Sequence, residues 1–239
     1  NRPTREAKMS KTISLLIALG LSLGLSGWIT TDWIVAQSDG SGVKRPLDLP
    51  SGGRGDGEDE EDAPETISFY GGEYEGDGFF WCLDKSCSMG WAGELDQLKS
   101  EMSQSLAGLT ENSEFSIVAF SSGHIVWSPF PKDANTANRA AGTAWVQALN
   151  ADGATCLAPA GVEIVNISNM SNKPNKQILI LSDGEPNCPG PSETISAITS
   201  ANWQHTPVNT IYIATDSGGV SFMQQLAAAN GGTFYQPPG

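Results

Sequence analysis

Residues 79–90 read Phe-Phe-Trp-Cys-Leu-Asp-Lys-Ser-Cys-Ser-Met-Gly, and this stretch decides the fold class. Its first five residues are apolar without interruption, which is typical of a strand that is covered on both faces of a sheet. The polar residues that follow at once, beginning with Asp84, indicate a loop at the end of that strand. The pattern therefore predicts a buried strand whose carboxyl end carries a polar loop.

Similar short apolar runs recur downstream and predict three more strands, at residues 115–120, 178–181 and 208–214. Residues 124–127 follow the run at 115–120 across a tight Ser-Ser-Gly turn. This spacing predicts an antiparallel edge strand that is joined to its neighbour by a hairpin.

The stretches between these strands are predicted to be helices, because apolar residues recur there every three or four positions. The five predicted helices carry, in order, Leu95, Leu98, Met102, Leu106 and Leu109; Ala141, Trp145 and Ala148; Leu157, Gly161, Ile164 and Val165; Ile195 and Ile198; Phe222 and Leu226. Gly231 and Gly232 are expected to end the last one. The alternation predicts an α/β, Rossmann-like fold of three layers, a mostly parallel central sheet with one antiparallel edge strand and helices on both faces.

Polar side chains follow two of the strands directly. Asp84, Ser86 and Ser88 come after the first strand, and Asp183 comes after the strand at 178–181. Ligands of open α/β sheets bind at the carboxyl ends of strands, and Thr155 lies on the same side if the second helix runs back along the sheet. Two carboxylates and three hydroxyls would then converge, an all-oxygen set that suits a hard cation such as Mg²⁺.

These five residues resemble the metal-ion-dependent adhesion site of the von Willebrand factor type A family, whose signature is Asp-x-Ser-x-Ser, then a Thr, then an Asp. The resemblance covers residues 78–235. It implies that Ser86, Ser88 and Thr155 are direct or near-direct ligands, and that Asp84 and Asp183 hold the ion directly or through water. It also implies Mg²⁺ as the ion, with Mn²⁺ or Ca²⁺ as alternatives, and a carboxylate of a partner in the remaining coordination position.

Two positions depart from the family pattern. Cys87 and Ala154 each stand where many relatives have glycine, so both loops carry a side chain at a site that is often bare. The alternative interpretation of a lone Asp-x-Ser-x-Ser is a helix N-cap with polar neighbours. The presence of Thr155 and Asp183 in register favours the metal site.

The chain divides into three predicted regions. Residues 1–36 contain Lys8 and Lys11 ahead of an apolar stretch, which predicts a secretory signal peptide or an uncleaved signal anchor. Residues 37–65 are rich in Gly, Ser, Pro and acids, which predicts a disordered linker. Residues 66–239 form the predicted domain. We therefore expect an extracytoplasmic protein that is secreted, periplasmic or anchored to a membrane.

The net charge excludes one class of partner. Lys and Arg number 13 against 27 Asp and Glu, so the net charge of −14 repels a phosphate backbone and rules against nucleic acid. Seven of the acids lie in residues 56–65, where a solvated linker is the simplest interpretation. The expected partner is a protein or a surface polymer that supplies a carboxylate, and the oligomeric state stays open.

Four cysteines permit disulfides in an exported protein. Cys82 is most simply a small buried hydrophobe within a strand, while Cys87, Cys156 and Cys188 fall in loops of the proposed metal face. Three connectivities are open, of which Cys156 with Cys188 is favoured. Zinc is the rival interpretation, but no two ligands have the two-to-four-residue spacing typical of zinc sites, and the hydroxyl-rich surroundings disfavour a soft site.

An enzyme is the competing class of function. A serine or cysteine hydrolase needs a base, and the two histidines, His124 and His205, fall on an edge strand and in a loop. A metal-assisted hydrolase with Glu185 as base is the alternative that the residues leave open. We expect a non-enzymatic binding module. Trp91, just beyond the metal loop, is expected either to contact a partner or to pack at the start of the first helix.

Overall fold

The computed structural model of the protein describes residues 64–238. The predicted signal or anchor, residues 1–36, and all but the last two residues of the predicted linker, residues 37–65, lie outside the described residues. In residues 64–238, no helix combines the length and apolar character that are needed to cross a bilayer.

Nine strands occur in the described part of the chain. They are β1 (Glu65–Phe69), β2 (Gly72–Gly76), β3 (Gly78–Asp84), β4 (Glu114–Phe120), β5 (His124–Val126), β6 (Lys132–Asp133), β7 (Lys176–Ser182), β8 (Val208–Tyr212) and β9 (Phe234–Tyr235). Seven of them form the central sheet in the order β5-β4-β3-β7-β8-β9, with β6 also pairing with β4. The strands β3, β4, β7, β8 and β9 run parallel, and β5 and β6 run antiparallel to β4.

Five α-helices cover this sheet on both faces. They are α1 (Glu94–Gly108), α2 (Thr136–Gln147), α3 (Leu157–Asn169), α4 (Pro191–Ala201) and α5 (Ser217–Ala229). The helices α1 and α2 pack on one face, where the β1–β2 hairpin also lies, and α3, α4 and α5 pack on the other. The three-layer, mostly parallel α/β fold predicted from the sequence is confirmed.

The apolar run of β3 lies at the centre of the molecule. Phe79 and Trp81 point into the core beneath α1, and Phe80 and Cys82 point into the core beneath α3. All four side chains are fully buried. The strand is apolar from Phe79 to Leu83 because helices cover both of its faces. The interpretation of Cys82 as a small buried hydrophobe is confirmed.

Four details differ from the sequence-based expectation, and the first is the short parallel strand β9, which was not predicted. The antiparallel hairpin of β1 and β2 was not predicted, and its turn places Tyr70 and Gly71 at φ values of 53° and 83°. A second antiparallel strand, β6, pairs with β4 in addition to the predicted edge strand β5. The strand predicted at residues 208–214 ends at Tyr212.

The sheet topology sets the position of the functional site. β3 and β7 are adjacent, yet β3 is followed by a helix on one face of the sheet and β7 by a helix on the other. Their loops therefore leave in opposite directions at the carboxyl edge, which is where open α/β sheets bind their ligands.

Candidate metal centre

Asp84 is the last residue of β3, and its side chain is completely buried, with 0% of it exposed. Its Oδ1 accepts a hydrogen bond of 2.7 Å from the backbone N–H of Ser86, and its Oδ2 accepts one from the hydroxyl of Ser182. Burial raises the pKa of Asp84 to about 6, although these hydrogen bonds act in the opposite direction. A carboxylate is thus held in a position where its negative charge is costly.

Hydroxyl groups connect Asp84's loop to the second carboxylate. The Ser86 and Ser88 hydroxyl oxygens lie 3.2 Å apart, and Ser88 donates a hydrogen bond of 2.9 Å to Oδ1 of Asp183. Burial raises the pKa of Asp183, and the negative charges of Glu94 and Asp216 raise it further. Four of the five predicted ligands therefore form one continuous group.

The fifth predicted ligand, Thr155, lies in the loop between α2 and α3. A Cβ placed on Gly184, the residue after Asp183, would meet the Thr155 hydroxyl oxygen at 3.4 Å. The backbone N–H of Asn187 donates to the Thr155 carbonyl at 3.1 Å. The structure thus brings the Thr155 loop against the Asp183 loop.

Backbone contacts also join the Thr155 loop to the Asp84 loop. The N–H of Cys87 donates to the carbonyl of Gly153 at 3.1 Å. Gly153 has a φ of 70°, and a Cβ there would lie only 2.6 Å from the hydroxyl oxygen of Ser122. Glycine is required at this position because the loop passes so close to the end of β4.

A disulfide joins Cys156 to Cys188, with their Cα atoms 4.7 Å apart, so the favoured pairing is confirmed. Cys156 directly follows Thr155, and Cys188 lies five residues beyond Asp183. The bridge therefore ties together the two loops that carry these predicted ligands. Cys87 is a free, exposed thiol.

Two supporting groups were missed from the sequence. Ser182, the last residue of β7, orients the Asp84 carboxylate, and its place at a strand end beside Asp183 was the available signal. Lys85 extends its amine to Asp152 Oδ1 at 2.6 Å and to Ser121 Oγ at 3.2 Å. The Asp152 partner lies 67 residues away, and nothing in the local pattern indicated it.

The donor set fits a small hard cation. It consists of two carboxylates and three hydroxyls, the ligands that Mg²⁺ prefers. Within residues 64–238, no group of three or more His, Cys, Asp or Glu side chains is placed to hold an ion, so any cation here depends on the hydroxyls. Among the same residues the only ion pair joins Lys85 to Asp152, which leaves both carboxylates of the site without a positive partner. The ligands would be Asp84, Ser86, Ser88, Thr155 and Asp183.

Other candidate residues lie outside this group. The carboxylate of Glu185 lies against Gly218 in the first turn of α5, and in the described residues no hydrogen bond joins it to the five predicted ligands. His124 lies on the edge strand β5, and His205 lies in the loop before β8. Trp91 is exposed, so the alternative in which it packs at the start of α1 is wrong.

Comparison with known proteins gives the family. The profile of the von Willebrand factor type A domain matches residues 82–236. A von Willebrand factor type A structure from Catenulispora acidiphila superposes with a TM-score of 0.63 and 20% identity, covering 70% of this chain and 40% of that one. The PilB minor pilin from Streptococcus sanguinis gives a TM-score of 0.56 and 14% identity, covering 67% of this chain and 57% of that one.

The von Willebrand factor domain of the type V pili tip protein Mfa5 from Porphyromonas gingivalis gives a TM-score of 0.55 and 12% identity, covering 72% of this chain and 90% of that one. No curated protein matches the chain significantly. This chain spans less than two thirds of the length of the Catenulispora and PilB structures, and identities this low show a common fold alone. Because the family match extends over more than half of the sequence, the chain belongs to the von Willebrand factor type A domain family.

Proposed function

We propose that this domain is an extracytoplasmic binding module that holds one divalent cation. The expected ion is Mg²⁺, and its ligands are Asp84, Ser86, Ser88, Thr155 and Asp183. The ion leaves a coordination position for a carboxylate of a protein or surface-polymer partner. The single observation that carries the proposal is the meeting of three separate loops around a buried carboxylate that makes no ion pair within residues 64–238.

The electrostatics of the site support a cation. A buried ionised carboxylate is unfavourable unless a positive charge compensates it, and two carboxylates share this site. A divalent ion removes that penalty for both. The charges of the two carboxylates formally balance the charge of the ion. The ion nevertheless still acts as a Lewis acid toward a further anionic group.

The proposed role outside the cytoplasm has three supports. The predicted signal or anchor in residues 1–36 precedes the domain, and the disulfide between Cys156 and Cys188 fits an oxidising compartment. Several proteins of similar fold are described as a minor pilin, a pilus adhesin or a pilus tip protein.

Calorimetric titration of Mg²⁺ into the full chain tests the cation site. Loss of even an outer-shell partner costs about 10–100-fold in metal affinity, so we expect Asp183→Ala to weaken binding by about 100-fold or more. Asp133→Ala is the matched control, because Asp133 is an exposed aspartate on the edge strand β6. Circular dichroism checks that both variants keep the fold. Equal heats in the wild type and Asp183→Ala would overturn the assignment.

A pull-down from the native envelope fraction, with and without EDTA, tests the partner. We expect the wild type to retain a partner only in the presence of the cation, and Asp183→Ala to retain none. Cation-independent retention would contradict the proposed mode of binding. The hydrolase alternative predicts turnover of ester or phosphate substrates that Glu185→Gln abolishes.

A further inference from the structure

Trp91 exposes a large apolar side chain beside the candidate metal centre. The residue is 82% exposed. Its backbone N–H donates to the carbonyl of Ser88 at 2.9 Å, which places Trp91 one tight turn beyond a predicted ligand. Tryptophan is enriched among the residues that dominate binding at protein interfaces, so an indole held in solvent at this place is a candidate partner contact.

Acidic side chains surround the same edge. The Glu94 carboxylate folds back to accept a hydrogen bond of 2.9 Å from the N–H of Ala92, the residue next to Trp91. The charges of Glu94 and Asp216 both act on Asp183. The Glu185 carboxylate lies against Gly218, close to Asp216.

No basic residue of the described chain compensates these acids by an ion pair. The amine of Lys85 is bound to Asp152, and that is the only ion pair in residues 64–238. One divalent ion offsets Asp84 and Asp183, and leaves the negative charges of Glu94, Glu185 and Asp216 around it. A partner that brings only acidic groups therefore meets repulsion next to the ion it coordinates.

We propose that Trp91 and Glu94 form a subsite for a cationic side chain of a protein partner, which carries an arginine or lysine next to the carboxylate that reaches the ion. This inference rests on the proposed cation-dependent function. The indole face attracts a cation through its quadrupole, and tryptophan is the best aromatic for this contact. Arginine fits better than lysine, because its planar guanidinium stacks on the ring while it donates to the carboxylate.

The test uses two synthetic peptides that differ only in the residues on either side of one aspartate, which are arginines in one peptide and alanines in the other. Binding to the full chain is measured by calorimetry in Mg²⁺ and in EDTA. We expect the arginine peptide to bind about tenfold more tightly than the alanine peptide, and both to require Mg²⁺.

Variants identify the residues responsible. Trp91→Ala should reduce the preference for the arginine peptide by about fivefold while Mg²⁺ affinity stays unchanged, and Trp91→Phe should restore part of it. Glu94→Gln should also reduce the preference. Trp203→Ala is the matched control, since Trp203 is 68% exposed and lies in the loop before β8, at the amino edge of the sheet.

The outcomes separate the two proposals. If both peptides bind equally and in a Mg²⁺-dependent manner, or if Trp91→Ala leaves the preference intact, the cationic subsite is overturned and the proposed function stands. If Mg²⁺ itself does not bind, or neither peptide binds, the proposed function fails and the subsite fails with it.

Discussion

At the scale of single residues, Asp84 combines complete burial with an ionisable carboxylate. Its hydrogen bonds come from Ser182 and from the backbone of Ser86, both of them neutral donors. Neutral donors lessen the penalty of burying a charge but do not remove it. The stability of the cation-free protein should therefore depend on the protonation of this residue.

The direction of that dependence follows from the pKa of Asp84, which folding raises from an ordinary 3.8 to about 6. The folded state then holds the proton more tightly than the unfolded state, so stability falls as the pH rises from about 4 to about 6 and is level above that. The loss is on the order of 3 kcal/mol. The proposed Mg²⁺ would bind the ionised form, so its stabilising effect should grow over the same window.

Thermal unfolding between pH 4 and pH 8, in EDTA and in excess Mg²⁺, measures this effect. Asp84→Asn is the control, because it keeps the shape of the side chain and removes the titration. Asp152 and Asp216 have lowered pKa values, so their effect on the pH dependence of stability is opposite to that of Asp84. Both proteins share this effect, and subtracting the curve of the variant from that of the wild type removes it. A difference curve that does not change with pH would contradict the prediction.

At the scale of elements, the disulfide joins the loop before α3 to the loop after β7. It closes a sequence separation of 32 residues. We expect the double variant Cys156→Ser/Cys188→Ser to lose about 3–4 kcal/mol of unfolding free energy, because the unfolded chain gains freedom. Mg²⁺ affinity should fall as well, since the Thr155 loop is then ordered at a greater entropic cost.

Urea denaturation and calorimetry of the double variant check this prediction. Cys87→Ser is the control, because Cys87 is a free and exposed thiol, and surface substitutions of this kind change stability by about 0.5 kcal/mol or less. Unchanged Mg²⁺ affinity in the double variant would show that the bridge does not support the Thr155 loop.

Five strands of the central sheet, β3, β4, β5, β7 and β8, could be predicted from the sequence, whereas the two-residue strands β6 and β9 and the β1–β2 hairpin could not. β3 and β7 are apolar at nearly every core position because helices cover both faces, and such runs are easily identified. The β1–β2 hairpin turns at Tyr70-Gly71, with positive φ at both residues. Turns of that geometry usually carry Asn-Gly or Asp-Gly, so the turn gave no recognisable signal.

The same contrast holds for the candidate site. The meeting of the loops that carry its five predicted ligands could be expected from the sequence, because each of these residues follows a strand or stands between two helices. The ion pair between Lys85 and Asp152 could not be predicted from the sequence, since only the folded backbone brings the two loops together. The exposure of Trp91 likewise depends on how the turn after Ser88 is oriented, which the local residues leave undetermined.

At the scale of the whole molecule, the net charge of −14 acts over a longer range than any one contact. It attracts basic partners during their approach, and salt screens this attraction beyond about 8–10 Å at physiological ionic strength. The effect concerns the rate of association more than the lifetime of a complex.

We predict that raising NaCl from about 50 mM to about 500 mM slows the association of the arginine peptide with the full chain by about tenfold. Its dissociation rate should change little, and the alanine peptide should show a much weaker dependence. Stopped-flow measurements at constant Mg²⁺ separate the two rates. A salt effect confined to dissociation would contradict steering by the overall charge.

The position of β3 between two parallel neighbours has a mechanical consequence. Seven residues of β3 are paired with β4 and six with β7, and the strand ends at the candidate metal centre. A pull transmitted from a bound partner along β3 would load both ladders lengthwise, so that their hydrogen bonds share the tension instead of opening one after another. If the proposed binding site carries a load, this architecture would let it resist a pulling force along β3.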